Sequence, residues 1–272
     1  MLKLKKRSPV IMELRASVAF FERMMNLMRR YIGWEIVFLA YTLVNCLTIG
    51  LIGVSSGDPQ RVLYLVIGAI LWGFLSLIFH ELSENIAWER WEGTIEHTLM
   101  APILRATHLA GNCIATVIYG LARTALILVV VSMFLKVNLG NANLFAASVI
   151  LAVSSLSFIG LGLIGGILPL LSPEKGPQAT HIIQALILLV SGVYYEIEVL
   201  PRWLQFFSKI SPATYTLKAM RLALLEGKGI SDLKGYIIIL LVMGIVLIPI
   251  GYIGFRIAEN YARRAGKLSR SG

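Results

Sequence analysis

Residues able to do chemistry are few in this chain, and their spacing argues against an enzyme. The four histidines, His80, His97, His108 and His181, fall in four separate segments. His80-Glu81 opens like a helical zinc-protease motif, but Glu84 stands where the second histidine should be. The serines Ser154, Ser155 and Ser157 stand in one apolar stretch. An intramembrane nucleophile is one reading of them. Small residues at a helix contact, beside Gly160, Gly162, Gly165 and Gly166, are the other, and the sequence favours the second. No Gly-x-Ser-x-Gly elbow and no Gly-x-x-x-x-Gly-Lys-Ser/Thr phosphate loop occurs. Cys46 and Cys113 both lie in apolar runs and read as small buried hydrophobes, not as a disulfide or metal site.

The elements that carry these residues are apolar. Hydrophobic residues make up 57% of the 272 residues and charged ones 15%, far less charge than the roughly 25% of a soluble domain. Six long apolar runs recur: Ile36 to Val54, Val62 to Phe79, about Ala106 to Leu135, Leu144 to Leu170, about Pro177 to Tyr195, and Gly235 to Phe255. A hydrocarbon core about 30 Å thick takes roughly 20 apolar residues of helix to cross. Backbone polar groups in lipid must be bonded within their own segment, so the runs are expected to be helices. The fold class is an all-α membrane protein, with residues 1–272 forming a single transmembrane domain. Turn chemistry fills three breaks, at Ser55 to Pro59, Leu139 to Asn143 and Ser172 to Pro177.

Arg123 is the one charge inside a run. Burying it costs roughly 2.5–3.5 kcal/mol on the insertion scale, so it must face protein or a cavity. Two roles fit: contact with an anionic part of a cargo, or a structural hydrogen bond to a neighbouring helix's carbonyls. The lack of acidic residues in the runs argues against a proton-coupled secondary transporter.

The net charge of +10 sets orientation. Lys3, Lys5, Lys6, Arg7, Arg15, Arg23, Arg29 and Arg30 cluster before the first run, and Arg256, Arg263, Arg264, Lys267 and Arg270 after the last. Positive flanks stay in the cytoplasm, so both ends are expected inside, and six crossings satisfy that. The basic balance then meets anionic lipid, not nucleic acid. No cleavable signal peptide is expected.

Three segments do more than span. In residues 10–31, Ile11, Leu14, Val18, Phe21, Met25 and Met28 recur at helical spacing, which predicts an amphipathic helix in the membrane interface with Arg15, Arg23 and Arg30 reaching head groups. In residues 81–105, Gly93 breaks one helix, Thr94 is expected to cap a new one, and Pro102 stops it after about two turns. Ile95, Leu99 and Met100 give that helix an apolar ridge, with Glu92 and Glu96 near its start. Residues 196–234 are too apolar for an aqueous loop, yet Pro201 and Pro212 cut them into pieces too short to cross. They are expected to re-enter the membrane and return.

These features together resemble the type-2 ABC exporter permeases, the membrane subunits of drug and polysaccharide exporters. The resemblance rests on six spans behind an interfacial helix, on Glu92-Gly93-Thr94-Ile95-Glu96 followed by Pro102, and on Ser191-Gly192-Val193-Tyr194-Tyr195 followed by Leu200-Pro201-Arg202-Trp203-Leu204, Ile210-Ser211-Pro212-Ala213-Thr214-Tyr215 and Arg221. It covers essentially the whole chain. The resemblance implies that residues 93–102 form a cytoplasmic coupling helix that docks on a separate nucleotide-binding ATPase subunit. It also implies that residues 199–222, with Pro201, Trp203, Pro212, Tyr215 and Arg221, cap the outer end of the pathway. A second permease subunit, in a homodimer or heterodimer, would complete the route. No cofactor is expected on this chain; ATP and Mg would belong to the partner. Export of a lipid-like, drug or glycan cargo across the cell membrane is the implied function. A secondary transporter or an intramembrane enzyme is the alternative. Two departures stand out: Ile95 replaces the usual leucine, and Glu196 falls where relatives often carry proline.

Overall fold

The computed structural model describes residues 9–137, 139–172 and 174–266. The expected head-group contacts of Lys3, Lys5, Lys6, Arg7, Lys267 and Arg270 lie outside the described residues, as does Pro173 of the third break.

Apart from one short 3-10 turn, the described elements are α-helices: α1 (Pro9–Arg30), α2 (Ile32–Ser55), α3 (Pro59–Trp91), α4 (Ile95–Met100), α5 (Arg105–Leu135), α6 (Leu144–Gly165), α7 (Ile167–Leu171), α8 (Gly176–Ser191), α9 (Arg202–Ile210), α10 (Pro212–Leu225) and α11 (Ile230–Arg264). The turn chemistry acts as the sequence predicts. Gly57 takes a left-handed φ of +72°, Asp58 caps α3 by accepting from the Gln60 N–H at 2.9 Å, and Pro59 opens the helix. Asn143 caps α6 in the same way through the Ala146 N–H.

Five helices are long and apolar enough to cross a bilayer: α2, α3, α5, the α6–α7 pair and α11. The run expected from Pro177 to Tyr195 is shorter, because Gly192 turns left-handed at φ +68° and ends α8 after 16 residues. That is about 24 Å of helix against a core of about 30 Å. Helix α8 lies along α3. Its Thr180 hydroxyl is 3.2 Å from that of Ser83, and the turn after it brings the Val193 carbonyl against Gly68.

Helix α3 runs through the middle of the bundle and is buried along most of its length. Its 33 residues make about 50 Å of helix, roughly 20 Å more than the hydrocarbon requires, and its glutamates Glu81, Glu84 and Glu89 all fall in the part toward α4. Helix α5 projects beside it and carries α1. The α1–α5 seam uses Met24 and Met28 against Ala115, with Ser17 and Phe20 over Gly111. The predicted stripe on α1 therefore divides. Met28 is buried on α5, whereas Ile11, Leu14 and Val18 stay exposed and apolar, as an interfacial helix requires. Arg23 departs from expectation. It pairs with the buried Glu89 of α3 in place of reaching a head group, because desolvated Glu89 needs a cation.

Small residues close the α6–α11 seam. A Cβ on Gly160 would sit 2.5 Å from Leu247 Cβ and 2.7 Å from the Leu247 carbonyl carbon, and the Ser157 hydroxyl donates to the Leu240 carbonyl at 2.8 Å. Ser154 meets Thr216 of α10 at 2.9 Å. These contacts support helix packing over nucleophilic chemistry for this serine and glycine stripe. Gly160→Leu is expected to force the seam apart, at a cost of about 1–3 kcal/mol or more from overpacking. A fall in melting temperature of the purified protein checks this, with Gly33→Leu, where a Cβ meets nothing within 4 Å, as the control.

Candidate functional site

Three clusters contain the residues singled out from the sequence. The first is the knuckle formed by α4. Gly93 turns at φ +72°, and the six-residue helix that follows cannot be stable alone. Two expectations change here. Thr94 makes no side-chain cap; its hydroxyl donates to the Glu89 carbonyl at 3.3 Å and ties the knuckle to α3. Met100 is no part of the buried ridge. Ile95 and Leu99 are buried, but Met100 is 72% exposed, because helical spacing turns it away from them.

The far end of α4 is held by two arginines. Arg105 of α5 donates to the carbonyls of Thr98, at 3.0 Å, and Leu99. Arg263 of α11 donates to the Leu99 carbonyl at 3.0 Å. Cations at a helix C-terminus satisfy carbonyls that the helix leaves free. Both guanidinium groups are fixed by one buried carboxylate: Glu259 lies 3.0 Å from Arg105 and 2.8 Å from Arg263. The knuckle is therefore joined to α3, α5 and α11 by directional bonds. Its outer face presents Glu92, Glu96, His97, Met100 and Pro102 to solvent.

Next to the knuckle, Glu89 accepts from Arg23 and lies 3.2 Å from His108, which in turn lies 3.2 Å from Asn112. Glu13 of α1 accepts from the Leu104 N–H at 3.2 Å and from the Thr107 hydroxyl. Helix α1 is thus bonded to the start of α5, next to the knuckle. Sequence reading missed Glu89, Glu259 and Arg105. They are separated by up to 170 positions, and the signal for them is modest: Glu259 is a single acid in a basic flank, whereas Glu89 is one of five glutamates between 81 and 96.

The second cluster lies at the opposite end, where α8 gives way to α9 and α10. Pro201 precedes α9 and Pro212 opens α10; these helices have 9 and 14 residues, too few to cross. Their junction reaches inward: Ser211 meets Ser191 at 2.8 Å, and Thr216 meets Ser154 near the middle of α6. The chain then returns to the α6 start, where the Asn143 N–H donates to the Ala223 carbonyl at 2.9 Å. Arg221 locks this return. It donates to the carbonyls of Gly192 at 3.1 Å and Val193 at 2.7 Å, and its guanidinium stands 3.4 Å from the centre of the Tyr64 ring. Tyr215 donates to the Lys209 carbonyl at 2.9 Å. Trp203 stays apart from this knot, exposed on α9 with Phe206 and Phe207. Glu196, the residue in place of proline, has φ −77° and ψ 141°, a conformation that proline adopts.

The third cluster surrounds Arg123. Its guanidinium donates to the Phe38 carbonyl at 2.7 Å and the Thr42 hydroxyl at 2.8 Å, both on α2. Of its two expected roles, the structural bond to a neighbouring carbonyl is present. The same guanidinium also lines a cleft of about 480 Å³ between α2, α3 and α8. His80, Glu81 and His181 line it too, and Tyr119 on α5 donates to Glu35 close by. Arg123, the one charge inside an apolar run, thus shares its cleft with ionisable groups that stand just outside the runs. Glu35 precedes the first apolar run by one residue, and His80-Glu81 follow the second directly. The antiparallel α2 and α3 bring these run ends face to face, a juxtaposition readable from the topology but not from either run alone.

A family model for the ABC-2 type transporter matches residues 17–225. The chain belongs to the ABC-2 type transporter family. The match includes α4, the Arg123 cleft and the α8–α10 return; Glu13, Glu259 and Arg263 of the first cluster lie outside it. No curated protein matches the chain. Membership supports a multi-pass membrane location and the role of a transport subunit. In ABC-2 transporters generally the membrane subunit works with an ATPase.

Proposed function

We propose that this ABC-2 chain is the permease subunit of an ATP-driven exporter. The knuckle α4 faces the cytoplasm and docks on a separate nucleotide-binding subunit. The observation that carries this reading is the two-sided character of α4. One side is bonded to three helices through Thr94, Arg105, Arg263 and Glu259, while the other leaves Glu92, Glu96, His97 and Met100 free. A small element with one anchored and one open face transmits a push, because its anchors leave it little freedom to yield separately.

In the proposed cycle, closure of the ATPase subunits moves α4, and the Glu259 junction passes that motion to α5 and α11. The α9–α10 hairpin, fixed by Arg221, caps the outer end. A second permease subunit completes the pathway. With α4 inside, the basic α1 and the last turns of α11 lie on the same side, in agreement with the positive-inside rule.

Two experiments follow. Glu96→Lys reverses a charge on the open face without touching an anchor. It is expected to abolish co-purification of the ATPase subunit while the permease still inserts; retained co-purification would contradict the docking. Arg123→Ala removes a half-buried cation with two short bonds to α2. It is expected to slow transport at least tenfold in membrane vesicles at unchanged permease level. Full activity would assign Arg123 to packing alone.

A further inference from the structure

Two hollows of about 480 Å³ each meet at Phe38, His80 and Glu81. One lies between α2, α3 and α8; the other continues beneath α1. Their ionisable lining is lopsided: Glu35, Glu81 and Glu84 against Arg123 alone, with His80 and His181 stacked at 6.4 Å. Arg123 and Glu35 are already engaged, by α2 and by Tyr119 respectively. Among the described residues, the carboxylates of Glu81 and Glu84 make no hydrogen bond or ion pair. A carboxylate at the end of an apolar run is costly unless a counter-charge or a proton neutralises it.

The walls add two further features. Trp34, Phe38, Tyr41, Trp72 and Trp88 supply aromatic faces, which attract cations through their quadrupoles. Gln184 of α8 also lines the cleft; it is only 7% exposed, and its Nε2 has no hydrogen-bond partner. A buried amide without a partner is expensive, and its position in the wall marks a place where a polar group of a ligand is missing.

We propose that this cleft binds organic cations, molecules with a delocalised or quaternary positive charge on an aromatic or aliphatic body, and that these are a cargo class of the transporter. The carboxylate of Glu81 neutralises the charge, the aromatic walls cover the body, and Gln184 bonds a polar substituent where one exists. The opening beneath α1 lies at the end of the molecule carrying α4, so a cation dissolved in the adjacent leaflet reaches Glu81 without crossing the apolar core. This assignment rests on the permease reading for its cargo role, but the binding itself does not.

The test is equilibrium dialysis of the full-length protein in detergent micelles with tetraphenylphosphonium. Tetraphenylborate, the anion of the same shape, serves as control. The cation is expected to bind saturably. Glu81→Gln should weaken it at least tenfold, the exposed-side variant Glu84→Gln less, and Gln184→Leu little, because this probe carries no polar substituent. Melting curves establish that each variant is folded. Should Glu81→Gln fail to fold, loss of affinity in Glu84→Gln carries the test. Equal affinity of wild type and both glutamate variants, or equal variant-sensitive binding of the anion, would overturn the proposal. Failure here leaves ATPase capture at α4 untouched, and failure of that capture leaves cation binding untouched, so the two results separate.

Discussion

Replacing Glu259 by alanine is expected to abolish transport while leaving the protein in the membrane. Glu259 is 3% exposed and, among the described residues, is the one carboxylate that fixes both Arg105 and Arg263. Without it, two guanidinium groups remain half-desolvated with only the carbonyls of Thr98 and Leu99 to hold them. Removing one partner of a buried ion pair costs about 3–5 kcal/mol. That cost falls on the junction of α4, α5 and α11 and not on the apolar packing of the bundle. The expected outcome is an ATPase subunit that still binds but no longer drives cargo, read as ATP hydrolysis without transport in vesicles. Glu259→Gln keeps one acceptor and should retain part of the coupling. Full transport by Glu259→Ala would remove the junction from the mechanism.

The second large effect is expected at Arg221. Its two bonds to the Gly192 and Val193 carbonyls are charge-assisted, each worth about 1.5–3 kcal/mol, and its stacking on Tyr64 adds to them. Arg221→Ala leaves two carbonyls without these donors at the point where α8 reverses. The α9–α10 hairpin should then loosen, and faster proteolysis or hydrogen exchange across residues 192–212 would report it. Lysine should rescue only in part, since it offers a point charge in place of a planar fork. Gly68→Leu provides an independent check on the same joint. A Cβ there would meet the Val193 carbonyl oxygen at 2.1 Å, so the reversal must move. Unchanged exchange in both variants would show that this joint is not what holds the hairpin.

Much of this architecture was legible from apolar periodicity and turn residues. Asp58-Pro59, Asn143 and the two prolines at 201 and 212 fix helix boundaries by local chemistry, so reading them required no tertiary information. The knuckle was legible for the same reason, as Gly93 and Pro102 bracket it. What escaped was non-local. Thr94 looks like a cap, but Glu89 lies within its reach and its hydroxyl bonds there. Arg23 looks like a head-group contact, yet a buried carboxylate 66 positions away is the stronger partner. Glu35 and Glu81 sit just outside their apolar runs, and only the antiparallel pairing of α2 and α3 places them around one cleft. Length misled at α8, where Gly192 ends the helix before the apolar run ends.

Crosslinking from Met100 tests the account most directly. Both native cysteines are buried, so a cysteine at this 72% exposed position is the one reactive thiol expected among the described residues. Met100→Cys, carrying a thiol-linked photo-crosslinker and irradiated in native membranes, should become joined to a subunit that binds ATP. A membrane-impermeant thiol reagent should reach the position only from the cytoplasmic side. Labelling from outside the cell, or crosslinks that never include a nucleotide-binding subunit, would contradict the reading of α4 as the lever between ATP hydrolysis and the membrane helices.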